Sequence, residues 1–406
     1  MATPYIHAAW DERPHHTIQD RALTERLSRR AQYGATFMSC GSLGIRILVT
    51  GLVLFGHAVP SAAQRGAPVE WDEPTHHALQ LVLPTENDRL FHDDGPGFYQ
   101  YTDRQLYPGV AMPWEGGKYG FVRNIRETAE GAIFTRFHEG MDIRPLERSS
   151  SGDPLDEVRS IDDGLVVHTN RTARHSTYGL YVVVEHWWSG SPFYSLYAHL
   201  KEVRVEVGQE VDRGERIGTI GYTGVGINRR RAHVHVEVNL LLNQRFQEWH
   251  DEWYEDELNY HGNFNGFNLA GLDVAALFLE LREDPTMTIR EFLRSQTPFF
   301  RVVVKSEGIL DILRRYPWLS PGANHWSFVQ GSEALSKPSW TITFARSGLP
   351  LRIEASDRWV DDAEVEVLEQ TELPYSYLTN GLLSGRGGAP SLSRSGIRLI
   401  DLVTRK

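Results

Sequence analysis

The sequence predicts a mainly β domain built on an antiparallel sheet, followed by a helical insert and a small α+β or β-rich C-terminal domain. Three observations support this fold class. Short strand-like segments separated by glycine turns follow one another between residues 119 and 240, without helical intervals. An acidic and aromatic stretch then covers residues 243–298, and strand-like segments return from residue 299.

The strand-rich region, residues 117–242, contains five candidate strands. They are "GLVVHT", "LYVVVEHW", "FYSLYAHL", "ERIGTIGY" and "AHVHVEV". Glycine-containing turns such as "VGQEVDRG" and "TGVGIN" separate several of them, which leaves no room for crossover helices. Because parallel strands need such crossovers, the spacing favours an antiparallel, all-β unit.

The two regions after the sheet differ from it in pattern. In residues 243–298, Leu272, Ala276 and Leu279 have the i, i+4, i+7 spacing of one helix face, which predicts a helical segment. Residues 299–406 combine "RVVV", a short helix in "GILDILRRY" and the strands "SWTITFARS", "LPLRIEAS" and "AEVEVLEQ". We interpret this last region as an accessory domain.

The composition is that of a globular protein large enough for two or three domains. Of the 406 residues, 41% are apolar, and the formal net charge is −11. This acidic balance argues against a nucleic-acid partner. Cys40 is the one cysteine of the chain, so an intramolecular disulfide framework is excluded.

The N-terminus predicts an export signal within residues 1–63. The apolar run at 47–59 is too short to span a bilayer comfortably and follows Arg46. Ser61 and Ala63 then offer the small residues of a cleavage site before Gln64. We therefore expect an exported protein, periplasmic or associated with the cell envelope, without a stable membrane span after cleavage. An uncleaved anchor and a buried core segment are the alternatives.

The predicted signal is unusually long, which two explanations can account for. Translation can start at Met38, or Arg29 and Arg30 can belong to a poor twin-arginine signal. We favour the start at Met38. Residues 64–116, which follow the signal, are rich in turn-forming residues and predict loops.

Four histidines and one aspartate in the strand-rich region are candidates for a metal site. "HEGMD" contains His138 and Asp142, "YAHL" contains His199, and "HVHVEV" contains His233 and His235. Strand alternation places His233 and His235 on one face and the valines on the other. A hydrolytic zinc site uses three His or carboxylate ligands and keeps its fourth position for water, and it needs a further group to move protons. These five side chains could supply three metal ligands and two groups that transfer protons.

The order of these motifs resembles the lysostaphin/LytM-type zinc metallopeptidases, a family that cuts the peptides of peptidoglycan. The resemblance covers residues 117–240 and implies the family's antiparallel fold, which is related to the barrel-sandwich hybrid. It implies one zinc ion held by His138, Asp142 and His235. It also implies that His199 and His233 are the catalytic pair, which deprotonate water and stabilise the tetrahedral oxyanion.

Three further residues are candidates for the substrate cleft. Alternation in "FYSLYAHL" puts Tyr197 on the face of His199, so the resemblance implies that it lines the cleft. Arg123 in "YGFVRN" matches a family motif only loosely. Glu237 shares the face of His235 and is a cleft residue, a partner for a ligand histidine or plain sheet surface.

The loop before "HVH" departs from the family pattern. Relatives have small residues there, whereas this chain has Arg229, Arg230 and Arg231 in a row. The three arginines form either a positive rim for a substrate carboxylate or a solvated loop. His168, His175 and His186 match no family position, and we interpret them as structural.

The resemblance predicts an exported zinc endopeptidase that acts on the peptides of peptidoglycan. Some relatives have lost zinc ligands and activate other wall hydrolases, so an inactive regulator or wall-binding protein is the alternative. A carrier module is disfavoured, because Lys201 is the one lysine between residues 119 and 300 and does not lie at a hairpin tip. Metal analysis separates these alternatives, since the enzyme alone requires a tightly held zinc ion.

Overall fold

The computed structural model describes residues 78–100, 112–305, 308–321, 337–369 and 371–406. The predicted signal, residues 1–63, lies outside the described residues, as does part of the loop-rich segment that follows it. Within the described residues, no helix is long and apolar enough to cross a bilayer. The predicted boundaries between segments stay a prediction.

Strands dominate the described part of the chain, and all of their pairings are antiparallel. The mainly β fold class is therefore confirmed. The strands are β1 (Gly120–Thr128), β2 (Gly131–His138), β3 (Met141–Ile143), β4 (Glu157–Arg159), β5 (Gly164–Asn170), β6 (Leu180–Trp188), β7 (Ser191–Leu200), β8 (Glu202–Val203), β9 (Glu210–Val211), β10 (Arg216–Thr219), β11 (Val234–Leu241), β12 (Leu269–Gly271), β13 (Phe300–Lys305), β14 (Ser339–Phe344), β15 (Pro350–Ser356), β16 (Glu364–Val367), β17 (Leu383–Ser384) and β18 (Ser391–Leu392).

Helices are short and lie mostly outside the main sheet. They are α1 (Gly95–Phe98), α2 (Phe246–Trp253), α3 (Val274–Glu283), α4 (Ile289–Ser295), α5 (Asp311–Arg315), α6 (Tyr375–Leu378) and α7 (Arg394–Thr404).

A seven-stranded sheet forms the centre of the molecule. Its strand order is β12-β11-β7-β6-β5-β9, with β3 pairing to β11 beside β12. Strand β11 therefore has β7 along one edge and both β3 and β12 along the other. The β1–β2 hairpin leads directly into β3, and a separate three-stranded sheet has the order β4-β10-β8.

The central sheet buries aliphatic and β-branched side chains, which suit a pleated surface covered on both sides. All eight residues of β11 and all ten of β7 are buried. Val234, Val236 and Val238 point into the main hydrophobic core. A smaller cluster on the other face includes Leu196 and Ala198.

Helix α3 buries a different face from the one that the sequence predicted. Asp273 caps the helix, because its side chain accepts a hydrogen bond from the backbone of Ala276. The helix therefore begins at Val274, after Leu272, and its buried residues are Val274, Ala275, Leu277 and Phe278. The predicted stripe through Leu279 was wrong, since that residue is 41% exposed.

The C-terminal region packs on the end of β11. Its four-stranded sheet has the order β15-β14-β13-β16. From α5, the buried Arg315 donates hydrogen bonds to the carbonyls of Leu241 and Leu242. The side-chain amide of Asn243 donates to the carbonyls of Leu402 and Arg405 near the chain end. The strand that carries His235 is thus anchored by residues far along the chain.

Candidate active site

His235 lies in β11 on the face opposite the core valines, and His233 immediately precedes the strand. Val234, Val236 and Val238 are fully buried in the main core, as the alternation in "HVHVEV" predicts. His235 pairs directly with Asp142 of β3 across one edge of the strand. Two segments distant in sequence therefore meet at this position.

Three side chains converge at the meeting point of β2, β3 and β11. His138 ends β2, Asp142 is the middle residue of β3, and each offers an atom within 4.8 Å of the others and of His235. His235 Nδ1 lies 2.8 Å from Asp142 Oδ1 and 3.1 Å from His138 Nε2. His138 Nε2 lies 3.2 Å from the same carboxylate oxygen.

This arrangement fits a zinc ion in both chemistry and spacing. Two imidazole nitrogens and one carboxylate oxygen are a common ligand set of catalytic zinc. With zinc–ligand bonds of about 2.0–2.1 Å at tetrahedral angles, ligand atoms lie about 3.3 Å apart. The three observed separations approach this value, so His138, Asp142 and His235 could hold a metal ion.

Three of the four site histidines are oriented by backbone carbonyls. The Nδ1 atom of His138 donates to the carbonyl of Lys118 at 2.7 Å. In the same way, His199 Nδ1 donates to Thr223 at 2.9 Å, and His233 Nδ1 donates to Arg231 at 2.7 Å. Because a carbonyl only accepts, each ring carries its proton on Nδ1 and keeps Nε2 for another partner.

His199 reaches the site because β7 carries an extra residue there. Leu180 pairs with Leu200, and Val182 with Tyr197, so two steps along β6 match three along β7. At this bulge, His199 has a left-handed φ of 61°. Its ring centre lies 4.7 Å from that of His233 and 5.9 Å from that of His235.

Gly224 makes room for this arrangement. A Cβ atom at residue 224 would lie 2.2 Å from the carbonyl oxygen of Thr177 and 3.2 Å from Nδ1 of His199. Its φ of 102° also favours glycine. The "TGVG" turn thus brings its backbone close to His199, and the carbonyl of the neighbouring Thr223 orients the ring.

Comparisons with known proteins agree with this site. Residues 136–247 match the sequence profile of peptidase family M23, and this range includes His138, Asp142 and His235. Residues 136–247 thus resemble an M23 peptidase domain and are called the M23 domain below.

A curated relative is similar to part of this chain. Over 81 residues the chain is 40% identical to the peptidoglycan DD-endopeptidase ShyA of Vibrio cholerae serotype O1. The aligned stretch is 20% of this chain and spans 17% of the relative's length.

Solved structures similar to part of the chain are also found. The catalytic domain of lysostaphin from Staphylococcus simulans is 19% identical, over 41% of this chain and 96% of that one, with a TM-score of 0.25. A zinc-containing peptidase from Vibrio cholerae is 27% identical, over 35% of this chain and 36% of that one, with a TM-score of 0.22.

The M23 domain holds its candidate ligands in states suited to a cation. Burial and the nearby Arg123 lower the pKa of His138 to about 4, so its ring is neutral at pH 7. Burial alone would raise the pKa of Asp142, but the contacts with His138 and His233 lower it well below its usual value. Burial opposes the charge of His235, yet hydrogen bonds to Asp142 and Glu237 raise its pKa to about 10. A cation bound at Nδ1 of His235 would therefore have to displace a proton from this ring.

Arg123 supports the candidate ligand Asp142. One guanidinium nitrogen donates to Asp142 Oδ2 at 2.8 Å, and Nε donates to the carbonyl of Gly116 at 2.8 Å. The second carboxylate oxygen is therefore occupied, which leaves Oδ1 to face the histidines. The predicted place of Arg123 in the cleft needs refinement, because the contacts of its guanidinium turn it towards the aspartate.

Tyr197 lies on the other face of the sheet, so its predicted place in the cleft was wrong. It pairs with Val236, whose side chain enters the main core, and it is fully buried there. Its hydroxyl accepts a hydrogen bond from the backbone N–H of Ile161 at 2.8 Å. The bulge at His199 reverses the alternation, so Tyr197 and His199 do not share a face.

Glu237 is buried behind His235 and does not line an open cleft. It is 1% exposed, and its Oε1 atom lies 2.8 Å from Nε2 of His235. The hydroxyl of Tyr178 and the amide of Asn239 also donate to its carboxylate. Of the cleft predictions for Glu237, contact with the candidate ligand histidine is the one with direct geometric support.

Two of the three arginines before "HVH" have structural contacts. Arg229 forms an ion pair with Asp153 at 2.9 Å. Arg231 is buried, and its guanidinium donates to the carbonyl of Gly226. Arg230 is exposed. Because Arg231 is buried, a positive rim made by all three guanidinium groups is excluded, and Arg229 and Arg230 are the exposed members of the run.

Tyr178 was missed by the sequence analysis. It precedes β6, in a loop where neither strand nor helix periodicity applies. Its carbonyl accepts from the backbone N–H of His199 at 2.8 Å, and its ring centre lies 5.7 Å from that of His235. No sequence motif includes Tyr178, so its contacts become visible only in the folded chain.

Proposed function

We propose that this chain is an exported zinc-dependent endopeptidase that hydrolyses peptide bonds of bacterial peptidoglycan, in a cross-link or a bridge. One observation carries the proposal. His138 Nε2, Asp142 Oδ1 and His235 Nδ1 lie 2.8–3.2 Å apart inside the M23 domain, with two further histidines beside them. The name of the curated relative, a peptidoglycan DD-endopeptidase, supports the substrate class.

His138, Asp142 and His235 are the proposed metal ligands. A zinc ion bound to them would supply a Lewis acid that polarises a peptide carbonyl and acidifies water. Their anchors keep the ligand atoms in place before metal arrives. Lys118 orients His138, Arg123 orients Asp142, and the strand pairing of β3 with β11 fixes the distance between Asp142 and His235.

His199 and His233 are the proposed catalytic pair. Both rings hold their Nδ1 protons on backbone carbonyls, so each presents Nε2 as the atom that can accept or donate a proton; Nε2 of His233 lies 3.4 Å from Asp142 Oδ1. Burial and the neighbouring histidines lower the pKa of His199 well below its usual value, which favours the neutral base. We assign the pair to deprotonating water, stabilising the tetrahedral oxyanion and delivering a proton to the leaving amine.

The proposed substrate places the protein in the cell envelope. Peptidoglycan lies outside the cytoplasmic membrane, and the apolar run at 47–59 has the length and flanks of an export signal. An inactive regulator of other wall hydrolases is not favoured, because all five expected side chains converge. Protein partners are not part of the proposal.

Digestion of purified sacculi tests the function. The full-length protein, measured with one zinc ion per chain, should release soluble peptide fragments whose new termini identify the scissile bond. The variant His235→Ala should release none. The proposal is wrong if the wild-type protein binds no zinc and releases nothing, and the ligand assignment is wrong if the variant keeps its activity.

A further inference from the structure

His235 is oriented differently from the other three site histidines. Those rings donate Nδ1–H to backbone carbonyls, whereas His235 places Nε2 2.8 Å from the carboxylate of Glu237 and turns Nδ1 towards Asp142. A carboxylate is a stronger acceptor than a carbonyl. His235, which turns Nδ1 rather than Nε2 towards the metal position, thus has the strongest anchor of the four rings.

Three donors converge on Glu237. The Tyr178 hydroxyl donates to Oε1 at 2.7 Å, and Asn239 Nδ2 donates to Oε2 at 3.0 Å. An ionised carboxylate accepts only, so Nε2 of His235 must be the donor of the third bond. The contacts therefore assign a proton to Nε2 and leave Nδ1 as the atom that can bind metal.

We propose that Glu237, held in place by Tyr178, is a positioning residue that selects the metal-binding nitrogen of His235. The inference rests on the proposed function, since it assumes that zinc binds at His138, Asp142 and His235. Glu237 touches neither substrate nor metal. It acts through His235, whose tautomer and ring orientation it fixes.

Glutamine cannot replace this carboxylate without loss. Its amide has one acceptor oxygen and brings an NH₂ donor into a group that already contains three donors. At 1% exposure, water cannot replace the missing acceptor. At least one donor then loses its partner, and the His235 ring loses the negative charge of the carboxylate that anchors it.

Tyr178 connects this carboxylate to the proposed catalytic pair. Its hydroxyl holds Glu237, while its backbone carbonyl accepts from the N–H of His199 at 2.8 Å. One residue of the loop before β6 therefore supports both a proposed ligand and a proposed catalytic histidine. Losing the hydroxyl alone should weaken the support of Glu237 and leave the contact to His199 intact.

The test is zinc affinity, measured on the full-length protein by competition with a chromophoric chelator at pH 7. Glu237→Gln should raise the zinc dissociation constant by about 10–100-fold, and Tyr178→Phe by a smaller factor. Matched controls are Glu185→Gln and Tyr181→Phe. Glu185 also accepts a tyrosine hydroxyl, from Tyr194, and the hydroxyl of Tyr181 bonds to His261.

Cobalt substitution provides a second measurement. The visible spectrum of bound Co²⁺ reports its ligand geometry, so it should change in Glu237→Gln and stay as in wild type in both controls. Circular dichroism establishes which variants are folded. If Glu237→Gln does not fold, the affinity of Tyr178→Phe decides.

The outcomes separate this inference from the proposed function. Wild-type affinity and spectrum in the folded Glu237 and Tyr178 variants, or equal losses in the controls, overturn the inference even if sacculi are digested. Weakened zinc binding in these variants alone supports it even if no sacculus is cut. A wild-type protein that binds no zinc overturns both.

Discussion

Two groups of buried histidines lie in the described part of the chain, and burial does not distinguish them. His233 and His186 are each 1% exposed, and His235 and His261 are each 5% exposed. Their partners differ. In the site group, His138, His233 and His235 all approach one carboxylate oxygen of Asp142.

The second group has its hydrogen bonds completed by the protein. His186 donates Nδ1–H to the carbonyl of Asp163 and places Nε2 2.7 Å from the hydroxyl of Ser195, while its ring stacks on Trp188. His261 bonds to the hydroxyl of Tyr181 and the carbonyl of His175. Such rings stabilise the fold but keep no nitrogen for a ligand. Convergence on a shared carboxylate, rather than burial, identifies the candidate site.

The largest difference that we expect between the two groups of histidines is in their effect on metal binding. His235→Ala should weaken zinc binding by more than the 10–100-fold typical of a residue that only supports a ligand, because it removes a ligand itself. His261→Phe, in the second group, should bind zinc like wild type. Metal content after dialysis measures both. Zinc retained by the His235 variant, or lost by the His261 variant, would contradict the division.

A smaller effect divides the site group itself. Replacing His199 or His233 by Ala should lower the rate of peptide hydrolysis by about 10²–10⁴-fold, the usual contribution of general acid–base catalysis, while one zinc ion stays bound. The measurement pairs metal analysis with initial rates on sacculi. Loss of zinc in the His233 variant would instead make that residue a ligand.

Acid should destabilise the fold through the second group. Burial lowers the pKa of His186 to about 4, below the value of about 6.5 in an unfolded chain. Between these values the unfolded chain binds more protons, so the contribution is complete above pH 6.5 and is lost as the pH falls towards 4. It amounts to about 3 kcal/mol of the free energy of unfolding.

Denaturant titrations at several pH values measure this term. The advantage of wild type over His186→Gln should shrink by that amount between pH 7 and 4, because the site histidines are common to both proteins. An advantage that stays constant with pH would mean that His186 is not held neutral.

The smallest effect concerns His261. Phenylalanine keeps the aromatic packing but loses two hydrogen bonds, each worth about 0.5–1.5 kcal/mol. We expect the free energy of unfolding to fall by about 1–2 kcal/mol with zinc affinity unchanged. Chemical denaturation beside a zinc titration measures the pair, and a change in zinc affinity would show that the second group reaches the site.

The sequence was informative about the site where regular strand geometry holds. Alternation in "HVHVEV" correctly separated the valines from the histidines, since β11 is regular. It failed at Tyr197, because the bulge at His199 is not visible in a local pattern. Histidine tolerates the left-handed conformation better than most residues, yet nothing in "YAHL" requires it. Contacts such as Arg123 with Asp142 depend on a hairpin whose register sequence alone does not fix.

Prediction of the fold likewise succeeded where the local pattern is regular and failed where it is not. Segments with continuous β-branched runs, such as "YVVVEHW" and "RVVV", lie in the predicted strands β6 and β13. The buried face of helix α3 was predicted wrongly, because the Asp273 cap was not identified and the predicted stripe began at Leu272, two residues before the helix. The C-terminal helix α7 was not predicted at all, although its buried face completes the packing around Trp249.

The contacts at the end of β11 bear on how this protein could be engineered. The M23 match stops at residue 247, but the carbonyls of Leu241 and Leu242 depend on Arg315, and Asn243 depends on the last few residues of the chain. A chimera that borrows only the matched segment would carry several orphaned polar groups, each costing about 1–3 kcal/mol. The segment that matches the family is thus shorter than the segment that a chimera would need in order to stay folded.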